Sequence, residues 1–173
     1  MTIERFGLNS GISPDGLILI ENYGLAVYAA QSFERGLQNV LTGLERLGEF
    51  TLPPRIDRSR EGFVDECLGP MLRILESQAR MDNKMSRVLR KAHYQRNELV
   101  HHFLMDNAVD MLNAAGRASI NDKLRRIYQD IRHAEWIVLQ LAEKIFAQLG
   151  VAPDQVDKQI AELLRLSDDT VDE

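Results

Sequence analysis

The sequence predicts an all-α protein, an up-and-down bundle of about five helices. Apolar residues recur at alternating spacings of four and three along two long stretches, which is the period of an amphipathic helix. Prolines and glycines fall between the helical stretches, and no segment has the alternating pattern of a strand. We expect one domain over 1–173, with frayed ends at 1–16 and 167–173 and a loop at 48–60.

The first long helix follows the turn-rich entry "GISPDG" and ends near Gly48. The next segment, "TLPPRIDRS", contains two prolines and is therefore predicted to be a loop. Because the apolar residues of the helix lie on one stripe, we expect that stripe to face the core. The stripe comprises Leu19, Tyr23, Ala26, Ala30, Phe33, Leu37, Val40, Leu44 and Leu47.

A second, shorter helical stretch is interrupted at Gly69 and Pro70, which predicts either a kink or two short helices. Its apolar side comprises Phe63, Val64, Cys67, Leu68, Met71, Leu72 and Leu75.

The last long helix is predicted to start at a capping box formed by Ser119 and Asp122, after "NAAGRAS" closes the preceding helix at Gly116. Gly150 and Pro153 end it, and a short amphipathic helix is expected from Pro153 to Leu166. The core-facing stripe comprises Ile120, Leu124, Ile127, Ile131, Ala134, Val138, Leu141 and Ile145.

Composition excludes several classes of protein. The 173 residues carry a net charge of −5 and a single cysteine, Cys67, so neither a basic nucleic-acid coat nor an internal disulfide is expected. The sequence has no paired Cys/His zinc spacing and no glycine-rich nucleotide motif, and we expect no metal or cofactor. Without a signal-peptide core or a long apolar run, we expect a cytoplasmic protein with no membrane contact.

The third helical pattern, from Asp82 to Met105, contains a charged residue in its apolar stripe. On a regular helix Arg96 lies within about 60° of all the apolar positions, and so at the centre of the stripe. A guanidinium there is costly unless it is paired or faces a wet cleft. One interpretation is a structural ion pair with a carboxylate of a neighbouring helix. The apolar positions are Met85, Leu89, Ala92, Leu99, Val100 and Phe103.

Histidines lie beside this arginine. His93, Asn97 and His101 form a ladder with a spacing of four on one flank of the stripe, and His102 falls on the other side. Histidine exchanges protons near neutral pH, and arginine can hold a phosphate and stabilise added negative charge. The combination suits metal-independent chemistry at a phosphodiester.

The same helix is strongly basic. Asp82 is the single acid between residues 80 and 96, so a basic face that contacts RNA is one interpretation, and a solvated helix face is the other. The predicted RNA-binding residues are Lys84, Arg87, Arg90, Lys91 and His93; Arg80 and Arg96 complete the basic run.

The stretch "RNELVHHF" resembles the signature of the HEPN superfamily, in which an arginine is followed, after four to six residues, by a histidine. A polar residue, often asparagine, commonly follows the arginine in that family. Arg96 to His101 has the four-residue spacing and Arg96 to His102 has the five-residue spacing. The resemblance covers about eight residues, within an all-helical chain of suitable size.

The resemblance implies a homodimer in which the two motif helices face each other, and an endoribonuclease that needs no metal. His101 would act as general base or acid on the RNA 2′-hydroxyl, and Arg96 would neutralise the phosphate. Asn97 would position the histidine or the phosphate, and His102 is the second candidate histidine. Members of the superfamily include toxins, defence proteins and RNA-processing factors, so an antitoxin or a regulatory protein is a further expected partner.

Phe103 departs from one pattern of the family. Toxins controlled by a nucleotidyltransferase partner often carry a tyrosine two residues after the histidine, and that tyrosine is the residue modified. With a phenylalanine at this position, control by adenylylation is not expected.

Two other functions fit parts of the sequence. A non-catalytic dimeric interaction or regulatory module would explain the long apolar stripes and would make Arg96 a structural ion pair. A di-metal carboxylate bundle would use the Glu-x-x-His unit of Glu98 and His101, together with a weaker Asp-x-x-His unit, Asp130 and His133. Glu98, however, is expected to point away from the apolar stripe. Further carboxylates considered for that site are Glu34, Glu45, Glu66 and Glu76.

Overall fold

The computed structural model describes residues 12–48, 68–78 and 81–151. Predictions that fall on 1–11, 49–67, 79–80 and 152–173 lie outside the described residues. They include most of the predicted loop, the burial of Cys67, the C-terminal amphipathic helix and the frayed C-terminal end.

The described part of the chain is helical and has no strand, which confirms the predicted all-α bundle. Within these ranges no helix is both long enough and apolar enough to cross a membrane. A short 3-10 turn at Asp110–Leu112 precedes the last helix. The helices are α1 (Pro14–Arg46), α2 (Leu68–Gln78), α3 (Asn83–His101), α4 (Phe103–Asp106) and α5 (Ala114–Gln148).

The two long helices, α1 and α5, lie side by side and run in the same direction. The Asp15–Arg117 ion pair near their N-terminal ends joins residues 102 positions apart. Gly36 packs against Val138 and Gly43 packs against Ile145, and in both pairs the two residues are again 102 positions apart. A constant separation along the contact means that the two helices are parallel. The glycines bring the backbone of α1 close to the side chains of α5, because a Cβ atom at Gly43 would lie 2.5 Å from Ile145 Cγ2.

The predicted core stripes are confirmed on both long helices. In α1 the stripe is buried except for Tyr23 and Leu47, which pack half-buried against the core. In α5 the whole predicted stripe is buried apart from Leu141, which is also half-buried against the core.

Helix α3 packs against both long helices and runs antiparallel to α5. The Lys91–Asp130 and Glu98–Lys123 ion pairs, both 2.7 Å long, join α3 to α5. The later residue of α3 pairs with the earlier residue of α5, so the two helices run in opposite directions. On the other side, the Tyr23 hydroxyl of α1 donates a hydrogen bond to the carbonyl of Leu99 at 3.3 Å.

The predicted frayed end at 1–16 is wrong for its last residues, because α1 begins at Pro14. Ser13 caps this helix, and its hydroxyl accepts a hydrogen bond from the Gly16 amide at 3.4 Å. Proline in the first turn is compatible with this start because the missing amide proton would have no helical partner.

The predicted capping box at Ser119 is also wrong. Helix α5 begins five residues earlier, at Ala114, and Asn113 caps it by accepting a hydrogen bond from the Gly116 amide at 2.8 Å. Gly116 therefore lies in the first turn. Its role is close packing, because a Cβ atom there would lie 2.1 Å from the Asp110 carbonyl oxygen.

The third helical pattern is not continuous to Met105. Helix α3 ends at His101, and His102 leaves the helical region with φ −127° and ψ −29° before α4 begins at Phe103. Phe103 is fully buried, and its ring packs 5.9 Å from that of Tyr23. The break therefore separates the exposed end of the motif helix from a buried aromatic anchor.

Candidate functional site

Arg96 faces into the bundle, as its place in the apolar stripe predicts. Its Nη2 and Nε atoms donate hydrogen bonds to Glu34 Oε2 of α1, at 2.8 and 3.2 Å. The two side chains are only 17% and 12% exposed. The structure therefore pairs the predicted arginine with a carboxylate of a neighbouring helix, which is the ion-pair interpretation of this residue.

Asn97 extends this contact into a chain of hydrogen bonds along α3. Its Oδ1 atom accepts from Arg96 Nη1 at 3.2 Å, and its Nδ2 atom contacts His93 Nε2 at 3.0 Å. Because an amide nitrogen can only donate, His93 Nε2 accepts and the ring proton sits on Nδ1. The polar network thus runs from Glu34 through Arg96 and Asn97 to a neutral imidazole.

His93 lies inside the bundle and not on an outer RNA-binding face. It is half-buried, and its ring packs next to Gly69 of α2. Burial lowers the pKa of His93, the positive charges of Arg96 and Arg73 lower it further, and Glu34 partly opposes them. The prediction that His93 contacts RNA directly is therefore not supported by its position.

The two remaining motif histidines are exposed at the C-terminal end of α3. The rings of His101 and His102 lie edge to face with their centroids 6.2 Å apart. On a regular helix Arg96 and His101 are separated by about 140°, and the helix break lies after His101, so it does not bring this histidine round toward Arg96. The structure brings together Arg96, Asn97 and His93, and leaves His101 and His102 facing solvent.

Exposed apolar side chains flank these histidines along the chain. Val100, predicted to lie in the core stripe, is instead 45% exposed, and Met105 is 81% exposed. The group continues through the 3-10 turn before α5. We call it the α3–α4 apolar surface; it comprises Val100, Leu104, Met105, Val109 and Leu112.

The predicted basic face of α3 is partly neutralised by neighbouring helices. Arg90 donates two hydrogen bonds of 2.7 Å to Glu76 of α2, and Lys91 pairs with Asp130 of α5. Lys84 and Arg87 are exposed on the first two turns of the helix.

Several carboxylates of the predicted di-metal site are engaged elsewhere, and Glu66 lies outside the described residues; the engaged ones are Glu34, Glu76, Glu98 and Asp130. Glu98, which is expected to point away from the apolar stripe, is 23% exposed and pairs with Lys123 of α5 at 2.7 Å. In residues 12–48, 68–78 and 81–151, no three His, Cys, Asp or Glu side chains are grouped closely enough to hold a metal ion.

The sequence does not predict the role of two residues. It suggests Glu34 only as a possible metal ligand, although its place beside Ala30 and Leu37 at the edge of the α1 stripe is a signal for an inward-facing acid. Trp136, the single tryptophan, is 58% exposed on α5 and contributes to two surface grooves. Its signal in the sequence is its position, because a helical period places Trp136 on the side of α5 opposite to Ile131, Ala134 and Val138.

Comparisons with protein-family models, with curated proteins and with solved structures found no match to this chain. The HEPN resemblance therefore rests on the residues of the motif.

Proposed function

We propose that two copies of this chain form a HEPN-like endoribonuclease that cleaves cytoplasmic single-stranded RNA without a metal ion, as toxins, defence proteins and RNA-processing factors of that superfamily do. The observation that carries the proposal is the α3–α4 apolar surface beside His101 and His102. Five large apolar side chains exposed within 13 residues are typical of a surface that a partner covers.

A second copy is needed because one chain does not assemble the site. Arg96 is turned into the bundle and His101 faces solvent, so the two groups do not meet within a protomer. A two-fold interface over the α3–α4 apolar surface brings each motif helix against its equivalent. In the proposed dimer, Arg96 of one protomer works with the partner's His101.

The chemistry is a transfer of the phosphoryl group to the neighbouring 2′-oxygen. His101 removes the proton from the 2′-hydroxyl, the 2′-oxygen attacks phosphorus, and the bond to the 5′-oxygen breaks. His102, in its protonated form, supplies the proton that the leaving 5′-oxygen requires. The products are a 2′,3′-cyclic phosphate and a free 5′-hydroxyl, and the reaction consumes no water in this step.

Arg96 retains donors for the phosphate. A guanidinium has five N–H groups, and the contacts to Glu34 and Asn97 use three of them. We assign the remaining two to the non-bridging oxygens of the phosphate, and Glu34 fixes the plane of the guanidinium.

A second candidate function, a non-catalytic dimeric interaction module, is favoured by the same ion pair. Glu34 neutralises the charge of Arg96, which weakens its attraction for a phosphate. In this function Arg96 serves to hold α3 against α1, and the α3–α4 apolar surface alone is the functional part.

Cleavage of single-stranded RNA in the presence of EDTA tests the proposal. Wild-type protein is expected to release 2′,3′-cyclic phosphate ends, and RNA with 2′-O-methyl groups is expected to stay intact. His101→Ala should reduce the rate by about 100-fold or more, because it removes the general base. Failure of wild-type protein to cleave any single-stranded RNA would favour the interaction module.

Mixing two inactive variants tests whether the site is shared between protomers. Arg96→Ala and His101→Ala each lack one component, but a heterodimer of the two restores one complete site. Because half of randomly paired dimers are heterodimers and each has one of two sites, we expect about a quarter of wild-type activity. Absence of any recovery, with subunit exchange verified, would contradict a site built across the dimer.

The stability of Arg96→Ala provides the control for folding. Leaving Glu34 unpaired is expected to cost about 3 kcal/mol, whereas Arg125→Ala, which removes an exposed pair with Asp122, should cost below about 1 kcal/mol. Activity is therefore compared at a temperature where circular dichroism shows both variants folded. Arg125→Ala should cleave RNA with the same products as wild type.

A further inference from the structure

Trp136 stands on the outer side of α5 between two surface grooves, and its side chain lines both of them. The first, of about 380 Å³, lies between the N-terminal half of α3 and α5, and we call it the α3–α5 groove. The second, of about 320 Å³, lies between α1 and α5, and we call it the α1–α5 groove. An indole that is 58% exposed therefore presents its ring to both grooves.

The α3–α5 groove has an apolar floor and a cationic rim. Met85 and Val88 contribute apolar surface, and Lys84 and Lys144 carry the positive charges. The acid on this rim, Asp82, caps α3 and accepts hydrogen bonds from the amides of residues 84 and 85, at 2.8 and 2.7 Å. Its charge is therefore already engaged by the helix N-terminus.

The α1–α5 groove repeats this chemistry on the other side of the tryptophan. Arg35 and Arg132 provide its positive charges, and Leu139 provides apolar surface. Glu135 is its acid and is paired with Arg132. The net charge of both grooves is thus positive, in a protein whose total charge is −5.

A third shallow groove extends the basic surface beyond Lys84. It is lined by Asn83, Ser86, Arg87 and Arg90 on the first turns of α3, and has a volume of about 330 Å³. Lys84 of the α3–α5 groove and Arg87 of this groove lie three positions apart on the same helix and are therefore neighbouring charges. We call the three grooves together the cationic track; Trp136 is the exposed aromatic residue that two of them share.

We infer that Trp136 is a base-stacking platform on this track, and that the track binds single-stranded RNA. Single strands bind where cations follow the phosphate backbone and an exposed aromatic ring accepts an unpaired base. The inference rests on the proposed function in naming RNA, and it deepens it by placing the substrate along α5, away from the Arg96 and His101 residues.

Intrinsic fluorescence offers a direct test, because Trp136 is the single tryptophan of the chain. The probe is a short 2′-O-methyl oligouridylate, which the proposed nuclease cannot cleave. Quenching of the tryptophan emission on titration, saturating with the oligonucleotide, is the expected result. Unchanged emission at concentrations where a labelled oligonucleotide is bound would overturn the stacking platform.

The affinity of variants for a fluorescein-labelled probe of the same sequence measures what the indole and the lysines each contribute to binding. Trp136→Ala should weaken binding by about tenfold, the loss typical of one stacked base. The double variant Lys84→Ala, Lys144→Ala should lower the slope of log Kd against log salt by about 1.4. Tyr28→Ala and Arg125→Ala, at exposed positions outside the three grooves, are the matched controls and should bind as wild type.

The outcomes separate this inference from the proposed function. Trp136-dependent binding without cleavage of ordinary RNA retains the track and overturns the nuclease. If wild type cleaves ordinary RNA and Trp136→Ala cleaves it with the same KM, the nuclease is retained and the track is overturned. Absence of any binding of the probe at low salt overturns the track as well.

Discussion

At the scale of single residues, Asn97 joins Arg96 and His93 by hydrogen bonds. Its amide oxygen accepts from Arg96 and its amide nitrogen donates to His93, so the orientation of the amide fixes the tautomer of the imidazole. Protonation of His93 at Nε2 would remove this acceptor and place a second positive charge beside the guanidinium. The network therefore favours neutral His93.

The free energy of unfolding is expected to decrease as the pH falls from 7.5 to 5.5. Burial and the nearby arginines lower the pKa of His93 in the folded state, so the unfolded chain binds more protons as the pH falls through the ordinary histidine pKa of about 6.5. Stability from this residue is complete above that pKa and is lost below it. Urea unfolding at the two pH values measures the decrease.

The substitution His93→Gln should reduce this pH dependence, since glutamine keeps a polar side chain but does not titrate. His133→Gln, at an exposed position on α5, is the control and should retain the wild-type decrease. Carboxylates contribute little to the pH dependence of stability between pH 5.5 and 7.5, because they titrate at lower pH. The pKa of Glu76, for example, is lowered by hydrogen bonds from Arg90. An identical pH dependence in wild type and His93→Gln would contradict the proposed environment of the imidazole.

At the scale of helices, the contact between α1 and α5 depends on glycines that a helix would not otherwise favour. Glycine in a helix interior costs up to about 1 kcal/mol relative to alanine. At Gly43 the cost is offset by close packing, because an added Cβ atom would meet Ile145 Cγ2 at 2.5 Å. At Gly24, on the exposed side of α1, no other helix and no side chain beyond its two chain neighbours lies within 4 Å of that position.

The two glycines should therefore respond oppositely to alanine. Gly43→Ala is expected to destabilise the protein by about 1 to 3 kcal/mol, since the clash exceeds the gain in helix propensity. Gly24→Ala should stabilise it by about 0.5 to 1 kcal/mol. Thermal or urea unfolding of both variants measures the difference, and stabilisation by both would contradict the close approach of α1 and α5.

At the scale of the whole molecule, the α3–α4 apolar surface predicts a homodimer in solution. Met105→Asp combined with Leu112→Asp places two charges in that surface and should shift the protein to monomers, because a buried unpaired charge is costly. Light scattering after gel filtration measures the mass of each species. Leu139→Asp, at an exposed apolar position in the C-terminal half of α5 and so far from the 3-10 turn that precedes this helix, is the matched control and should leave the dimer intact.

A monomeric wild type across the accessible concentration range would contradict this prediction. It would also remove the basis for a composite site, because Arg96 and His101 do not meet within one chain. A wild-type dimer that the double substitution does not affect would instead place the interface elsewhere on the molecule.

The sequence by itself determined the number of long helices and the faces they bury. These depend on the spacing of apolar residues, which is a local property, and the stripes of α1 and α5 lie where the spacing predicts. It also identified Arg96 as an inward-facing charge. The ends of the helices were predicted less well, because the caps at Ser13 and Asn113 compete with other polar residues nearby.

The tertiary structure decided what that charge does. Arg96 and Glu34 are 62 positions apart, and no pattern in one sequence specifies that these two side chains meet. The same holds for the parallel packing of α1 and α5 and for the grooves around Trp136, which residues from three helices create. Helical periodicity gives the face that a residue occupies, whereas its partner depends on how separate helices pack, and that packing is a property of the whole chain.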